Sequence, residues 1–365
     1  MQGTNLSSSL HTSSISAADN GTAGNSKAYV FSPIEPRTHV TLFLLMTTVA
    51  VVGLVGNILV LCFLEAKKKT KSILRTFSFE KNFHVYIKSL AISDVLSVII
   101  SVPLLCIHLL FDLLQRGWGC KIARYFTIVF PCVTMYNLLV INIEKYLSTR
   151  EVPRTFLPST VKKVVFSAWL AGCLVMLLAG ATYDGVRYDL NETHCTVVCR
   201  YNNQYLPFRI MFLIFATVQY IIPMAVIITI NISLVITVWG RMRRNLDVQR
   251  DNGIRMMARA ATIRSTYIII ALTFAFIFPY IFFFGKATYD NITKVTIGFE
   301  TDIILRAVSG LIGMSNPTVN FVLYVVQMKD FRIFIKRLLL SRCCFSQNPN
   351  PVGVDNAGLE MQRAS

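Results

Sequence analysis

Long apolar stretches alternate with short polar segments along the chain, and seven of these stretches are long enough to cross a membrane as helices. The hydrocarbon core of a bilayer is about 30 Å thick, which takes about 20 helical residues to cross. Backbone groups there have no water to bond, so each stretch is expected to be helical. The predicted spans are His39–Leu64, Phe83–Leu110, Lys121–Leu147, Val161–Thr182, Leu206–Trp239, Ala261–Phe284 and Ile303–Val326.

Composition supports a membrane protein. Hydrophobic residues make up 54% of the chain and charged residues only 15%, whereas a soluble domain carries about 25% charged residues. The net charge is nevertheless +17, from 36 Lys and Arg against 19 Asp and Glu. An ordinary water-soluble domain is therefore excluded.

The basic residues cluster in alternate connections, which predicts the orientation of the spans. They lie between spans one and two, after span three, between spans five and six, and after span seven. By the positive-inside rule the N-terminus is outside and the C-terminus is cytoplasmic, as expected for the plasma membrane. The positive charge is then explained by topology and attraction to membrane lipid. A nucleic-acid partner is not expected, because the stacking aromatics of a single-strand binder are missing.

The spans divide the chain into four parts. Residues 1–38 are expected to be an extracellular, disordered, glycosylated segment, 39–326 the membrane domain, 327–342 an amphipathic helix and 343–365 a cytoplasmic tail. N-glycosylation patterns on the outer side begin at Asn5, Asn20, Asn191 and Asn291. A further pattern at Asn231 falls inside span five and should remain unmodified.

One carboxylate lies in the middle of an apolar span. Asp94 is expected to face the interior of the bundle, since an exposed charge there costs at least about 2.5 kcal/mol. The polar residues of other spans that could accompany it are Asn57, Thr134, Asn316 and Asn320. Two interpretations remain open: the group holds a cation, with sodium as the candidate, or it is a hydrogen-bonded network that packs the helices.

Two further features mark the spans. Span three ends in Glu144-Lys145-Tyr146, a charged pair beside an aromatic ring at the expected water boundary. Spans five, six and seven contain Pro223, Pro279 and Pro317, each of which removes a backbone hydrogen bond and permits a kink.

Several motifs in order resemble the rhodopsin-like (class A) family of G-protein-coupled receptors. Gly56-Asn57 is similar to the G-N of helix one, Leu90 to Asp94 to L-A-x-x-D, and Asn320 to Tyr324 to N-P-x-x-Y. Single residues that match are Cys120 in helix three, Trp169 in helix four and Pro223 in helix five. The resemblance extends from span one to the short helix after span seven.

This resemblance implies an all-α bundle of seven transmembrane helices with a short amphipathic eighth helix. It implies a ligand cavity on the outer side and nucleotide exchange on an intracellular heterotrimeric G protein. It also implies a disulfide from Cys120 to the second outer loop, where Cys195 and Cys199 are both candidates. The tail cysteines Cys343 and Cys344 resemble palmitoylation sites.

The chain departs from the family pattern at its cytoplasmic switch, for which the matching residues are Glu144, Lys145, Tyr146, Arg259 and Tyr324. Lys145 replaces the motif arginine and lacks its planar guanidinium. Arg259 stands where relatives often place an acid, so a Glu144–Arg259 ion pair is one hypothesis for a substitute lock. Asn231 replaces a tyrosine, Ile277 a tryptophan and Phe321 a proline.

The residues of the implied ligand cavity are Thr127, Ile277, Tyr280 and Met314. Amine receptors have an aspartate at the position of Thr127, and opsins have the retinal lysine at the position of Met314. Amines and retinal are therefore disfavoured. The polar second outer loop favours a peptide, although it could equally be a lid.

Catalysis is not expected, because no G-x-S-x-G, H-E-x-x-H or phosphate-loop motif is present. Two alternatives remain beside a signalling receptor. A receptor-shaped interaction protein that no longer signals is compatible with Lys145, Ile277 and Phe321. A seven-span transporter would show inverted repeats, and none is evident between the two halves.

Overall fold

The computed structural model describes residues 27–31, 35–69, 78–112, 116–150, 152–202, 205–245, 253–293 and 298–344. Helices dominate this part of the chain. They are α1 (Pro36–Lys69), α2 (Ser78–Leu96), α3 (Val102–Leu110), α4 (Gly117–Ser148), α5 (Pro158–Thr182), α6 (Leu206–Ala216), α7 (Ile222–Asn245), α8 (Gly253–Thr293), α9 (Phe299–Met314), α10 (Asn316–Gln327) and α11 (Lys329–Cys344).

Within the described residues, six continuous helical segments are long and apolar enough to cross a membrane. The predicted seventh span is present but is divided into α9 and α10 at Ser315, so that neither part reaches the length of a span alone. Pro317 follows this break and cannot donate to the carbonyl four residues before it. The expected bundle of seven spanning segments with an eighth helix, α11, is confirmed.

Two spans contain a π-helical turn. Ser97–Ser101 joins α2 to α3, and Thr217–Ile221 joins α6 to α7. A proline closely follows each turn, at Pro103 and Pro223. Because proline has no N–H, a carbonyl within each π turn loses its usual helical donor, and the wider turn accommodates the mismatch.

A small sheet covers one end of the bundle, which we call the hairpin end. Strands β2 (Tyr183–Asp189) and β3 (His194–Tyr201) form an antiparallel hairpin with Val186 opposite Val198. The short β1 (Ala28–Tyr29) pairs in parallel with β3, so β3 is the central strand. The polar loop predicted between spans four and five is therefore mostly extended and hydrogen-bonded.

A long-range ion pair fixes α11 to the bundle. Lys67, in the last turns of α1, lies 2.9 Å from the carboxylate of Asp330 in α11. A hydrogen bond from Lys67 and its positive charge keep the pKa of Asp330 below its ordinary value. The rings of Phe331 and Phe334 pack against Phe63 beside this pair, so α11 folds back onto the end of α1.

The packed core lies among the helices, and α4 is the most deeply enclosed of them. Tyr86, Met135, Phe276 and Tyr324 are fully buried there. Large apolar side chains also cover the outside of the bundle, as at Phe278, which is 78% exposed. Such a continuous apolar exterior suits contact with lipid.

Candidate functional site

The buried carboxylate predicted to face the bundle does so. Asp94 is only 2% exposed, and Asn320 of α10 donates a 2.9 Å hydrogen bond to its Oδ2 atom. This contact joins the second and seventh spans. One amide hydrogen bond offsets only part of the cost of burying an ionised carboxylate, and either a proton or a bound cation would reduce the rest of that cost.

The other predicted members of this cluster have different partners. Asn57 donates to the carbonyls of Gly53 and Pro317 at 2.9 Å each. Thr134 shares a hydrogen bond with Ser93. The buried Asn316 Oδ1 atom has no hydrogen-bond partner in the described part of the chain. The structure therefore brings Asp94 and Asn320 into contact, while the remaining residues form separate contacts around them.

The oxygen chemistry of this cluster suits a sodium ion. Asp94 offers a carboxylate, Asn316 an amide oxygen with no partner among the described residues, and Thr134 a hydroxyl that it shares with Ser93. Hard cations prefer such oxygen ligands to nitrogen or sulfur.

At the opposite end from the hairpin, Glu144 is fully buried and carries three hydrogen bonds. Its Oε1 atom accepts from the Asn82 amide at 2.6 Å and from the Phe156 backbone N–H at 3.1 Å. Its Oε2 atom accepts from the Tyr86 hydroxyl. This arrangement holds the connection after α4 against α2. The side chain of Arg259 is not described, so the hypothetical Glu144–Arg259 pair remains a hypothesis.

Lys145 points in another direction, although it is adjacent to Glu144. Its Nζ atom donates a 2.5 Å hydrogen bond to Ser265 Oγ of α8, and both residues are buried. One helical turn nearer the centre, Asn142 Nδ2 donates to Thr273 Oγ1 at 3.1 Å. Two polar contacts therefore link α4 to α8.

The remaining switch residues lie near this link. The Tyr324 side chain is fully buried, and its hydroxyl has no hydrogen-bond partner among the described residues. Tyr146 is partly exposed and lies beneath the Arg150 guanidinium, 5.5 Å from its ring centre. Tyr146 is thus placed at the edge of the polar contacts and Tyr324 within the core.

A cavity of about 170 Å³ opens at the hairpin end. Three of the predicted cavity residues, Thr127, Tyr280 and Met314, line it. The prediction for Ile277 needs correction: it is 6% exposed and belongs to the hydrophobic core instead of the lining. The face of α8 that reaches the cavity is that of Tyr280, nearer the hairpin.

A disulfide holds the hairpin beside this cavity. Cys120 at the start of α4 is bonded to Cys199 of β3, with an S–S distance of 2.00 Å. The sequence had left Cys195 and Cys199 as alternatives. Cys195 is a free buried thiol, and it lies on the strand position paired with Tyr29.

Charged residues that the sequence analysis did not identify also line the cavity. They are Arg124 of α4, Arg200 of β3 and Arg306 of α9. Arg124 could have been found, because an arginine four residues after Cys120 in an apolar span requires a functional explanation. The position of Arg200 depends on the register of the hairpin, which sequence reasoning did not predict.

Asp302 connects three elements at the outer edge of the cavity. Its carboxylate lies 2.7 Å from Lys286 of α8, 2.7 Å from Arg306 and 3.9 Å from Arg200. Burial alone would raise its pKa, but hydrogen bonds and positive charge from Arg306 and Lys286 lower the pKa below its usual value. The residue is therefore an anionic centre that joins the hairpin to α8 and α9.

Several predicted modification sites remain predictions. Asn191 is exposed at the hairpin turn, where its Oδ1 atom accepts hydrogen bonds from Thr193 and His194. Asn231, inside span five, bonds to the Ile227 carbonyl. Five predicted sites lie outside the described residues or have no described side chain: Asn5, Asn20, Asn291, Cys343 and Cys344.

Comparisons with known proteins agree with this architecture. The profile of the family described as 7 transmembrane receptor (rhodopsin family) matches residues 56–324. The allatostatin-A receptor of Bombyx mori is 22% identical over 80% of this chain and 77% of its own length. Neuropeptide Y receptor type 6 of Oryctolagus cuniculus is 23% identical over 90% of each chain. Melatonin receptor type 1A of Phodopus sungorus is 22% identical over 84% and 83%. The chain therefore belongs to the rhodopsin family of seven-transmembrane receptors and is a multi-pass G-protein-coupled receptor of that class.

Proposed function

We propose that this receptor resides in the plasma membrane with its N-terminus outside, and that an extracellular peptide activates nucleotide exchange on a heterotrimeric G protein. Lysine and arginine are concentrated in alternate connections, which supports this orientation. The cavity then opens outward, and the names of two relatives, the allatostatin-A and neuropeptide Y receptors, favour a peptide.

The observation that carries the signalling proposal is the contact between Lys145 and Ser265. It joins α4 to α8 in the buried interior at the end remote from the cavity. If α8 moves outward on activation, this contact must break. A ligand that favours the separated arrangement therefore shifts the population by its difference in affinity for the two arrangements.

Lysine in place of the motif arginine is one objection to signalling, and the contacts of Lys145 weaken that objection. Lys145 lacks the planar fork of arginine, but its single ammonium group reaches the Ser265 hydroxyl. Asn142 and Thr273 add a second contact between the same helices. The closed arrangement therefore has polar contacts that do not require the usual arginine.

A sodium ion at Asp94 belongs to the same proposal. It would supply positive charge to the carboxylate and favour the arrangement in which Asn320 remains close. Coupling between this site and the receptor's two arrangements would then be reciprocal, as for any pair of linked equilibria.

The test measures G-protein dissociation in cells without added ligand, over a panel of G-protein subtypes and at matched surface expression. We expect Ser265→Ala to raise basal activity several-fold over wild type, because the hydroxyl partner of Lys145 is lost. Lys145→Arg is measured in parallel. Ser233→Ala is the matched control, since Ser233 is only partly buried and its hydroxyl donates to the Thr229 carbonyl within α7.

The same assay can contradict the proposal. Activity at the level of untransfected cells for wild type, Ser265→Ala and Lys145→Arg, with every subtype, would instead favour a receptor-shaped protein that does not signal. A signal that rises equally in the Ser233→Ala control would show that the Lys145–Ser265 contact is not the lock.

A further inference from the structure

The cavity at the hairpin end has two chemically different sides. Apolar side chains line most of it, including Met46 of α1, Leu105 of α3 and Met314 of α9. Arg124, Arg200 and Arg306 line the side below the hairpin. No aspartate or glutamate is among the described residues that line it. An apolar cavity with positive charge on one side fits a molecule that has an apolar part and an anionic end.

The arginines differ in what surrounds them. Arg200 and Arg306 both have the carboxylate of Asp302 as a partner. Among the described residues, the hydrogen-bond acceptors of Arg124 are neutral, because its Nη2 atom donates to His108 Nε2 and to the Cys199 carbonyl at 3.0 Å each. Its guanidinium also lies 5.7 Å from the Tyr183 ring centre.

One donor of Arg124 is left without an acceptor. Its Nε atom is inaccessible to solvent and has no hydrogen-bond partner in the described part of the chain. Arg306 adds a repulsive positive charge nearby. Arg124 is partly buried, and removing a guanidinium from water is costly when no described carboxylate neutralises it. A carboxylate satisfies such a group with two parallel hydrogen bonds.

From these contacts we infer that the ligand of this receptor presents a carboxylate to Arg124 and places an apolar group between Met46, Leu105 and Met314. The inference rests on the proposed function, whose ligand class it refines. A single negative charge fits better than a phosphate, because Asp302 already supplies a counter-charge to the other two arginines.

Two kinds of ligand could present this carboxylate: a peptide, through its free C-terminus, and a small apolar acid. The experiment measures thermal unfolding of the purified full-length receptor during titration with defined probes. The first pair is phenylbutyrate and its uncharged amide, phenylbutyramide. The second pair is acetylated Phe-Leu dipeptide as the free acid and as the amide. Ligand binding to the folded state raises the unfolding midpoint.

We expect both acids, and neither amide, to raise the midpoint of the wild type at millimolar concentrations. Arg124→Gln should weaken acid binding at least about tenfold, which corresponds to about 1.4 kcal/mol. Arg124→Lys keeps the charge without the planar fork, so its affinity for the acids should lie between those of the wild type and Arg124→Gln. Arg187→Gln removes a positive charge from an exposed position of β2 outside the lining and should behave as wild type.

The wild type alone can overturn the inference, even if Arg124→Gln does not fold. It does so if an acid and its amide shift the unfolding midpoint equally, or if neither acid shifts it. Acid binding that persists in a folded Arg124→Gln would also overturn it. Tighter binding of the dipeptide acid than of phenylbutyrate would identify a peptide terminus as the source, and the reverse order a small acid. Because G-protein dissociation is measured separately, failure here leaves the signalling proposal standing.

Discussion

Phe321 of α10 packs against the backbone of Gly56 in α1, so closely that a Cβ atom at Gly56 would lie 2.2 Å from Phe321 Cγ. Phe321 stands where the family has the proline of N-P-x-x-Y. The proline of this helix instead lies four residues earlier, at Pro317, whose carbonyl accepts from Asn57. The helix-one glycine and the unusual phenylalanine therefore form a matched pair.

We expect Gly56→Ala to destabilise the purified receptor by about 1–3 kcal/mol through overpacking against Phe321. Thermal unfolding measures the effect. Gly285→Ala is the control, since no described atom beyond its own stretch of helix lies within 4 Å of an added Cβ and alanine favours a helix. Phe321→Leu should recover part of the loss in the double variant. A neutral Gly56→Ala would disprove the close contact.

The two candidate cysteines of the hairpin should behave differently. Cys199→Ser removes the disulfide to Cys120, which closes a sequence separation of 79 residues, and should cost about 2–4 kcal/mol of stability. Cys195→Ser should have a small effect, because Cys195 is a free thiol. Unfolding midpoints and surface expression test this difference. The opposite order would mean that Cys195 forms the disulfide.

Replacing Glu144 with glutamine should destabilise the receptor by about 1–3 kcal/mol. The amide retains one acceptor oxygen, but its NH₂ group faces donors from Asn82, Tyr86 or Phe156. Glu65→Gln is the matched control, because Glu65 pairs with Lys88 at an exposed site, where such pairs contribute about 0–1 kcal/mol. Equal losses for both variants would contradict the buried network.

Sodium should stabilise the wild type through Asp94. We expect a higher unfolding midpoint in sodium chloride than in N-methylglucamine chloride at equal ionic strength. Asp94→Asn should abolish this difference, because the carboxylate is lost while an amide still has Asn320 as a neighbour. A sodium-dependent shift of the midpoint that remains in Asp94→Asn would assign the ion to another site. If the wild type shows no such shift, the polar residues around Asp94 form a packing network only.

The ion pairs of Asp302 with Lys286 and Arg306 should weaken only at strongly acidic pH. A carboxylate whose folded-state pKa is lowered contributes stability above the unfolded pKa, about 3.9 for aspartate, and loses it as the pH falls through the folded pKa. The lowered pKa of Asp302 therefore predicts a constant wild-type advantage over Asp302→Asn from about pH 8 to about 5. The advantage should shrink below about pH 4; a loss already near pH 6 would contradict the ion-pair assignment.

The spans, the family and the enclosed position of Asp94 could be predicted from the sequence, because each depends on local composition or on a motif. The hydrogen-bond partners of individual side chains could not be predicted in this way. Lys145 and Ser265 are 120 residues apart, and their contact depends on how α4 and α8 pack. The role of Glu144 was missed for the same reason, since Asn82 and Tyr86 contain no local signal that they will meet it.

The hairpin shows a different limit. The sequence predicts a polar loop for Tyr183 to Tyr201, because these residues connect spans four and five on the outer side and carry several charges. Their strand structure depends on cross-strand pairing and on the Cys120–Cys199 disulfide, both of which are non-local. The position of Arg200 beside Asp302 follows from that register and could not be predicted before it.

The break at Ser315 has a consequence for how the receptor is assembled in the membrane. The divided seventh span contains Arg306, Asn316 and Asn320, each of which disfavours entry of an isolated helix into lipid. The carbonyl of Pro317 and the amide of Asn320 find their partners, Asn57 and Asp94, on the first two spans. The seventh span is synthesised after the helices that carry these partners, so its stable insertion depends on correct packing of the first two spans.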